Sequence, residues 1–242
     1  MSDLTPPPSS DDPNRLLLPP HLVEGYEAFL TGRFKQERDH YRHLAEAGQK
    51  PRVMLIGCCD SRVSPEVIFD VDHGDIFVVR NVAALVPPYH PNNDLHGTSA
   101  ALEFGIMGLR IEHIVVMGHA RCGGIKNFAH ADADPYQRPL SSGDFIGKWM
   151  SLIEPAAARL GHARDPLEKY VEDLALESII QSLINLRTFP WIKNLEERGI
   201  IKLHGAYFDI ANAVLRVFDP LKERFVAISS AIHAEAFAEP RF

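Results

Sequence analysis

Four short runs dominated by apolar residues constrain the fold of this chain more than any other feature. They lie at residues 53–57, 76–79, 113–118 and 200–205. Runs of this length, without regular alternation of polar residues, indicate strands that are buried on both faces. Helical spacing of apolar residues appears between them, at about residues 97–109 and 167–186. Strands that alternate with helices predict an α/β fold, in which a mostly parallel central sheet is flanked by helices.

The two ends of the chain extend this core. Residues 224–228 predict a C-terminal edge strand beside about four parallel strands. Residues 1–20 are rich in Pro, Ser and Asp and predict a disordered segment or an arm. The apolar spacing over residues 21–48 predicts an N-terminal helical arm that is closed by its last residue, a glycine. We therefore expect a single domain over residues 21–242, with its α/β core at residues 52–232.

For two of the helices the sequence predicts further detail: the ends of one and the buried face of the other. The pair Asp165-Pro166 is typical of a helix start, with an N-cap followed by proline in the first turn, and Pro190 should stop the helix that follows. In the helix at residues 97–109, the apolar spacing predicts an inner face. That face comprises Ala100, Ala101, Phe104 and Leu109.

Composition restricts the partners and the compartment. The net charge of −7 and the pI near 5.9 argue against nucleic acid or an anionic membrane as a main partner. No stretch approaches the ~18 apolar residues of a membrane helix, and no secretory signal is visible. Three cysteines, two of them adjacent, form a poor disulfide framework, and thiols reserved for a metal fit a reducing cytoplasm. We therefore expect a cytoplasmic protein with no nucleic-acid and no membrane partner.

All three cysteines lie in two short motifs that follow predicted strands. Cys58 and Cys59 follow the first run, and His119 and Cys122 follow the third. Because loops after the carboxyl ends of parallel strands converge on one crevice, these side chains can meet. Two thiols and a histidine suffice for zinc, and three protein ligands leave one coordination position open for chemistry on a water molecule. Spacing does not decide which adjacent cysteine binds, but successive side chains of an extended chain point opposite ways, so only one should face the metal.

Asp60 and Arg62 follow the first motif and sit two residues apart, so their side chains can point to the same side. A carboxylate near zinc has two possible roles. It can occupy the fourth position and close the site, or it can accept a hydrogen bond from the reacting water if another group holds it off the metal. Arg62 is suited to holding it, because a guanidinium pairs bidentately with a carboxylate.

At these residues the sequence resembles a known family. Residues 58–62 read Cys-Cys-Asp-Ser-Arg and residues 119–122 read His-Ala-Arg-Cys, a combination that resembles the β-class carbonic anhydrases. Further similarity, in part to the plant-like branch of that family, lies at residues 74–83, 86–89, 97–103, 182–186 and 204–209. The resemblance covers roughly residues 25–230.

The resemblance implies a full set of roles. Cys58, His119 and Cys122 would bind one zinc ion per chain. Asp60 and Arg62 would form the catalytic pair. The implied substrate pocket is lined by Gln49, Phe77, Val82, Phe104 and Gly123. The implied reaction is the reversible hydration of CO2 to bicarbonate and a proton. The implied assembly is a homodimer or a higher even homo-oligomer, in which the N-terminal helix embraces the neighbouring subunit.

The sequence departs from the family at two places. Some plant-like members carry an aromatic residue with a hydroxyl where Phe104 stands, and that hydroxyl is missing here. Another branch has a bicarbonate-inhibition site built from Trp, Arg and Tyr. Leu55 and Phe208 replace the Trp and the Tyr, while Arg80 remains. We therefore expect no such inhibitory site, and for Arg80 a structural or subunit ion pair.

Three alternatives share these residues. Asp60 could complete a closed, structural zinc site. A hydrolase of carbonyl sulfide or carbon disulfide would use the same metal and the same Asp–Arg pair. A non-enzymatic zinc or redox sensor would use the thiols but has no need for that pair. For an enzyme, two thiolates cancel the charge of Zn²⁺, so we expect activity to rise toward alkaline pH.

Overall fold

A single sheet carries the predicted parallel strands. The computed structural model describes residues 18–92, 94–134, 136, 138, 143, 145–161, 163 and 165–228. Its strands are β1 Val53–Cys58, β2 Ile76–Asn81, β3 His113–His119, β4 Lys202–Asp209, β5 Val214–Asp219 and β6 Arg224–Ala227. Within the described ranges they form one six-stranded sheet in the order β2-β1-β3-β4-β5-β6. The first four strands of this order are parallel, which confirms the predicted α/β class.

The C-terminal part of the sheet holds one strand more than the sequence predicted. β5 and β6 pair antiparallel with their neighbours, and β6 lies at the edge as expected. β5 was missed because Arg216 interrupts its apolar run. The Arg216 guanidinium pairs with Glu172 at 3.3 Å and lies 5.8 Å from the centre of the Tyr207 ring, so the charge is accommodated within the strand.

The helices precede, separate and flank these strands. They are α1 Pro20–Thr31, α2 Arg33–Ala47, α3 Pro65–Ile68, α4 Gly97–Glu103, α5 Gly123–Ala133, α6 Phe145–Met150, α7 Glu154–Leu160, α8 Leu167–Leu186 and α9 Pro190–Glu197. No helix in the described ranges combines the length and the apolar character needed to cross a membrane. The chain divides into two compact units, one that ends at Gln49 and one that begins at Lys50. Two predicted segments lie partly outside the described residues. Residues 1–17 of the predicted arm are not described, and neither are residues 229–232 at the end of the predicted core.

The predicted helix over residues 21–48 is two helices. Gly32 separates α1 from α2 with a ψ of −95°, and its N–H donates to the carbonyl of Ala28. Gly32 permits the break because a side-chain carbon here would lie only 3.0 Å from the Ala28 oxygen. The predicted end is confirmed, since α2 stops before Gly48, which has a φ of 74°.

Two further expectations need correction. α8 begins at Leu167, so Pro166 stands at the N-cap and Asp165 lies outside the helix, one position from the prediction. α8 ends at Leu186, and Pro190 opens α9 instead of stopping α8, because proline suits a first turn that has no partner for its N–H.

The inner face predicted for the helix at residues 97–109 is half right: Ala101 and Leu109 pack against the core, but Ala100 and Phe104 do not face it. α4 continues as a π-helical turn over Phe104–Gly108, which changes the spacing of the buried side chains. Thr98, Leu102 and Ile106 are buried, whereas Ala100 and Phe104 are exposed. Phe104 instead contacts Phe77 on β2, with ring centres 5.9 Å apart.

α8 packs against the centre of the sheet. Ile179 sits over two glycines, Gly118 on β3 and Gly205 on β4, where a methyl group would lie within 2.9 Å of its side chain. These glycines let α8 approach β3 and β4 closely. The packing buries one large apolar cluster, which contains Cys58 and Cys122 at the carboxyl ends of the strands.

Candidate metal centre

Three side chains converge where β1 and β3 end. Cys58 is the last residue of β1, His119 is the last residue of β3, and Cys122 immediately precedes α5. The parallel pairing of β1 with β3, with Gly57 opposite Met117, brings the two strand ends together. One ligand atom from each residue lies within 4.8 Å of the others, and all three residues are buried. The two sulfur atoms are 3.9 Å apart.

The adjacent cysteine points elsewhere. Cys58 is buried and Cys59 is exposed, so only Cys58 faces the group, as strand alternation predicts. The structure thereby settles which of the two cysteines adjoins His119 and Cys122.

The protonation of the group favours a cation. A hydrogen bond from Cys122 is the largest effect that lowers the pKa of Cys58 well below its usual range. The same contact, followed by burial, raises the pKa of Cys122, while the N–H groups of Ile125 and Gly124 at the start of α5 oppose that rise. Each thiol must lose its proton to bind a metal, and a divalent cation between the two sulfurs would compensate the negative charge that this loss leaves.

His119 presents an unsatisfied nitrogen to the same space. Its Nδ1 lies 2.9 Å from the carbonyl oxygen of Ala120, so Nδ1 carries the proton and donates it there. Its Nε2 is buried without a hydrogen-bond partner. A lone pair left in this way is the form in which imidazole binds a metal. Two thiols and this nitrogen fit zinc.

Asp60 is held beside the group by Arg62. The Nε of Arg62 donates to one carboxylate oxygen of Asp60 at 2.9 Å, and its Nη2 donates to the other at 2.7 Å. The backbone N–H of Arg62 adds a third hydrogen bond at 3.0 Å. The guanidinium of Arg62 thus keeps the pKa of Asp60 well below its usual range. The Oδ2 of Asp60 lies 3.8 Å from the Nε2 of His119.

Asp60 remains outside the ligand group. Among the described residues, the only cluster of metal-binding type comprises Cys58, His119 and Cys122. A zinc site with three protein ligands is the catalytic kind, because structural sites use four.

Comparison with known proteins places this arrangement in a family. The family model for carbonic anhydrase matches residues 53–215. A carbonic anhydrase of Synechocystis is 34% identical over 216 residues, covering 88% of this chain and 76% of the relative. The mitochondrial β-carbonic anhydrase 6 of Arabidopsis thaliana is 36% identical over 189 residues, covering 77% of this chain. This chain belongs to the β-class carbonic anhydrases. It spans 63% of the length of the Arabidopsis relative.

Solved structures agree with this membership. The β-carbonic anhydrase CcaA superimposes with a TM-score of 0.73 at 32% identity, covering 87% of this chain and 92% of that one. A tetrameric β-carbonic anhydrase of Sordaria macrospora superimposes with a TM-score of 0.67 at 25% identity, covering 87% of this chain and 96% of that one. The sheet and the flanking helices are therefore those of the family.

Of the four expected pocket residues in the same unit as the metal centre of this carbonic anhydrase, Gly123 and Val82 lie beside that centre, whereas Phe77 and Phe104 lie away from it. Gly123 follows Cys122 directly, and Val82 contacts the start of α5, where a methyl group on Gly124 would lie 2.9 Å from the Val82 side chain. Phe77 pairs with Met54, four residues before Cys58, so its backbone lies roughly 13 Å along the sheet from the metal centre. Phe104 packs on Phe77 and is 53% exposed. Gln49 is the last residue of the N-terminal unit.

Arg80 organises the loop that carries the metal centre of this carbonic anhydrase through hydrogen bonds to backbone carbonyls, and not through the ion pair that the sequence predicted. Its Nε donates to the carbonyl of Cys58 at 2.8 Å, and its Nη2 donates to those of Asp60 and Val63 at 2.7 and 2.9 Å. The only sequence signal is its place at the carboxyl end of β2, opposite Gly57. Leu55 stands where the branch with the bicarbonate-inhibition site has a Trp. It packs with Met117 and Ala206 in a second, smaller apolar cluster.

Proposed function

We propose that this protein catalyses the reversible hydration of CO2 to bicarbonate and a proton, with zinc held by Cys58, His119 and Cys122. The observation that carries the proposal is the pairing of a three-ligand group with a carboxylate that Arg62 holds off it. A closed structural site would need Asp60 as a ligand, and a sensor would not need the Asp60–Arg62 pair at all.

In this proposal, each residue around the metal has a separate role. Zinc, when bound, would supply a Lewis acid that lowers the pKa of a water molecule and so makes hydroxide available, more of it toward alkaline pH. Asp60, whose Oδ2 lies on the side of His119, would accept a hydrogen bond from the reacting hydroxide and so orient it toward CO2. Arg62 fixes the carboxylate through two parallel hydrogen bonds, which prevents rotation toward His119. Val82 and Gly123 offer an apolar, uncrowded wall for CO2, which has no charge to bind.

Stopped-flow measurement of CO2 hydration, with zinc quantified in the same sample, tests this function. We expect one zinc ion per chain and a rate that rises from mildly acid to alkaline pH. Cys122→Ser should lose both zinc and activity. Cys59→Ser is the matched control, since Cys59 is exposed and should leave zinc content and rate unchanged. Stoichiometric zinc without hydration at any pH would contradict the proposal; turnover of carbonyl sulfide or carbon disulfide would then favour a hydrolase.

We further infer a homodimeric or higher even assembly whose sites are shared between copies. Phe77 and Phe104 lie away from the metal centre of their own chain, yet Phe104 is exposed. This placement supports their lining the site of a neighbouring copy, with Gln49 as a further contribution. The Sordaria relative is described as tetrameric, which is an even assembly of the same kind.

The cytoplasm is the compartment we propose. Cys58 and Cys122 are unpaired thiols 3.9 Å apart, and an oxidising compartment would favour a disulfide between them over metal binding. Fractionation of cells followed by immunodetection tests this localisation.

A further inference from the structure

The proposed reaction releases a proton that some group must take to solvent. CO2 and water yield bicarbonate and one proton per turnover, so the site returns to its starting state only when that proton leaves. Both carboxylate oxygens of Asp60 accept hydrogen bonds from the Arg62 guanidinium, so Asp60 is fixed in place and cannot turn to carry the proton toward solvent. The carrier must therefore lie further from the metal centre, on a path that water can fill.

A large cavity lies beside Ala120 and Arg121, the loop residues between His119 and Cys122. It has a volume of about 730 Å³ and lies between α5, the start of α8 and the end of β4. Arg62, whose guanidinium also donates to the carbonyl of Arg121 at 3.2 Å, forms part of its wall. The wall of the cavity therefore includes the residue that holds Asp60. Polar and charged side chains line much of it, so water can occupy it.

His130 lies in the same wall, on the α5 face that starts at the metal centre. A smaller hollow of about 300 Å³ is lined by Gly123, Lys126, Asn127 and His130, which share one face of α5 at helical spacing. Helix rise places His130 roughly 10 Å from Gly123 along the axis, a span of a few water molecules. His130 is exposed to solvent, so buffer can reach its ring.

The other groups in this cavity are poor carriers. Among the described residues, His130 is the only histidine in its wall. The titratable and charged groups that face the cavity with it are Arg62, Arg121, Lys126, Glu168, Glu172, Tyr207 and Asp209. Burial raises the pKa of Tyr207 to about 12, so its hydroxyl keeps its proton. Of the side-chain types present, imidazole is the one that gains and loses a proton near neutral pH.

We propose that His130 carries the proton of CO2 hydration from the metal centre to buffer, through water in the cavity between α5, α8 and β4. In the hydration direction a ring nitrogen of His130 accepts the proton from the water chain, and the imidazolium then releases a proton to a buffer base. In dehydration the same steps run in reverse. This inference rests on the proposed function, because it concerns the proton that this reaction produces.

The kinetic test separates proton transfer from CO2 conversion. In dilute buffer that contains no imidazole, His130→Gln should lower kcat about tenfold or more and leave kcat/KM unchanged, because kcat/KM does not include proton release. Added free imidazole should restore kcat in the variant. His90→Gln, an exposed histidine at a different cavity, is the control and should behave as the unaltered enzyme does.

A second measurement does not depend on turnover. In protein loaded with Co²⁺, paramagnetic relaxation of the His130 ring protons should report the distance from the metal to the ring. We expect a distance near the roughly 10 Å that helix rise gives between Gly123 and His130. The loss of these signals in His130→Gln assigns them. An unchanged kcat, an equal fall of kcat and kcat/KM, or a much longer distance would overturn the role of His130 while leaving the enzyme in place. Absence of hydration in the unaltered protein would instead overturn the proposed function.

Discussion

At the scale of residues, the role that we propose for the Asp60–Arg62 pair is to keep the metal centre open. Arg62→Lys keeps the positive charge but loses the planar fork that contacts both carboxylate oxygens. Asp60 is then free to turn toward the zinc ligands, and we expect kcat/KM to fall about 10- to 100-fold with zinc content unchanged. Stopped-flow rates and metal analysis on the same samples measure this. A variant that retains the full rate would show that the bidentate contact is dispensable.

Arg80 gives a second prediction at this scale. Arg80→Met removes three hydrogen bonds to carbonyls of the loop at residues 58–63 and leaves those oxygens without a donor. We expect zinc affinity to fall about 10- to 100-fold, as for other residues that orient ligands without binding the metal. Competition with a zinc-binding dye measures the affinity. Arg52→Met is the control, since Arg52 pairs with Glu112 at the other end of the sheet, and unchanged affinity in Arg80→Met would refute the role.

At the scale of elements, the start of α5 fits closely against the segment that follows β2. A methyl group on Gly124 would lie 2.9 Å from Val82 and 3.3 Å from Met150, whereas one on Gly123 meets nothing within 4 Å. Gly124→Ala should therefore lower the free energy of unfolding by about 1–3 kcal/mol, and Gly123→Ala should leave it unchanged or slightly higher. Urea titration of both variants measures the difference, and equal midpoints would refute the packing argument.

β3 and β4 are also joined by a histidine pair. The Nδ1 of His113 lies 3.0 Å from the Nε2 of His204, and burial, followed by the charges of His113 and Lys202, lowers the pKa of His204. The unfolded chain then binds more protons than the folded one just below the ordinary histidine pKa of about 6.5. This contribution to stability is present above that pH and is lost as the pH falls. His204→Gln should show a weaker loss of melting temperature on acidification than the unaltered protein, and equal slopes would contradict it.

At the scale of the whole molecule, the N-terminal unit indicates association. Its rings cluster, with Phe29 and Phe34 lying 5.9 and 5.4 Å from Tyr41, yet no residue of α1 or α2 is buried. Tyr26 and Leu22 are 59% and 50% exposed. Apolar surface of this kind is typical of a surface that packs against another molecule.

If each site is built from two copies of the chain, two impaired variants should complement each other. Cys122→Ser removes a zinc ligand but keeps Phe104, and Phe104→Ala keeps the zinc site. In a mixed assembly, the intact zinc site of one chain would receive Phe104 from the other. We expect each variant alone to be impaired and the co-expressed pair to regain a substantial part of the activity. Recovery no greater than the sum of the two variants would refute sharing, because a site built from one chain cannot be rescued.

From the sequence alone we predict the parallel strands, the candidate ligand types and the family. Those signals are local: apolar runs report burial. Cys58 and His119 end two strands that parallel topology must bring together, and Asp60 and Cys122 follow them closely. Local spacing failed where a backbone irregularity changed the period, at Gly32 and at the π-helical turn that carries Phe104 outward.

The tertiary structure decided what local spacing cannot encode. It left His119 Nε2 unpartnered and aimed Arg80 at three carbonyls of a loop seventeen or more residues away. It also separated Phe77 and Phe104 from the metal centre and opened the cavity that links Arg62 with His130. Each of these depends on groups that are distant in sequence, and their hydrogen bonds and contacts exist only after α5 and α8 have packed on the sheet.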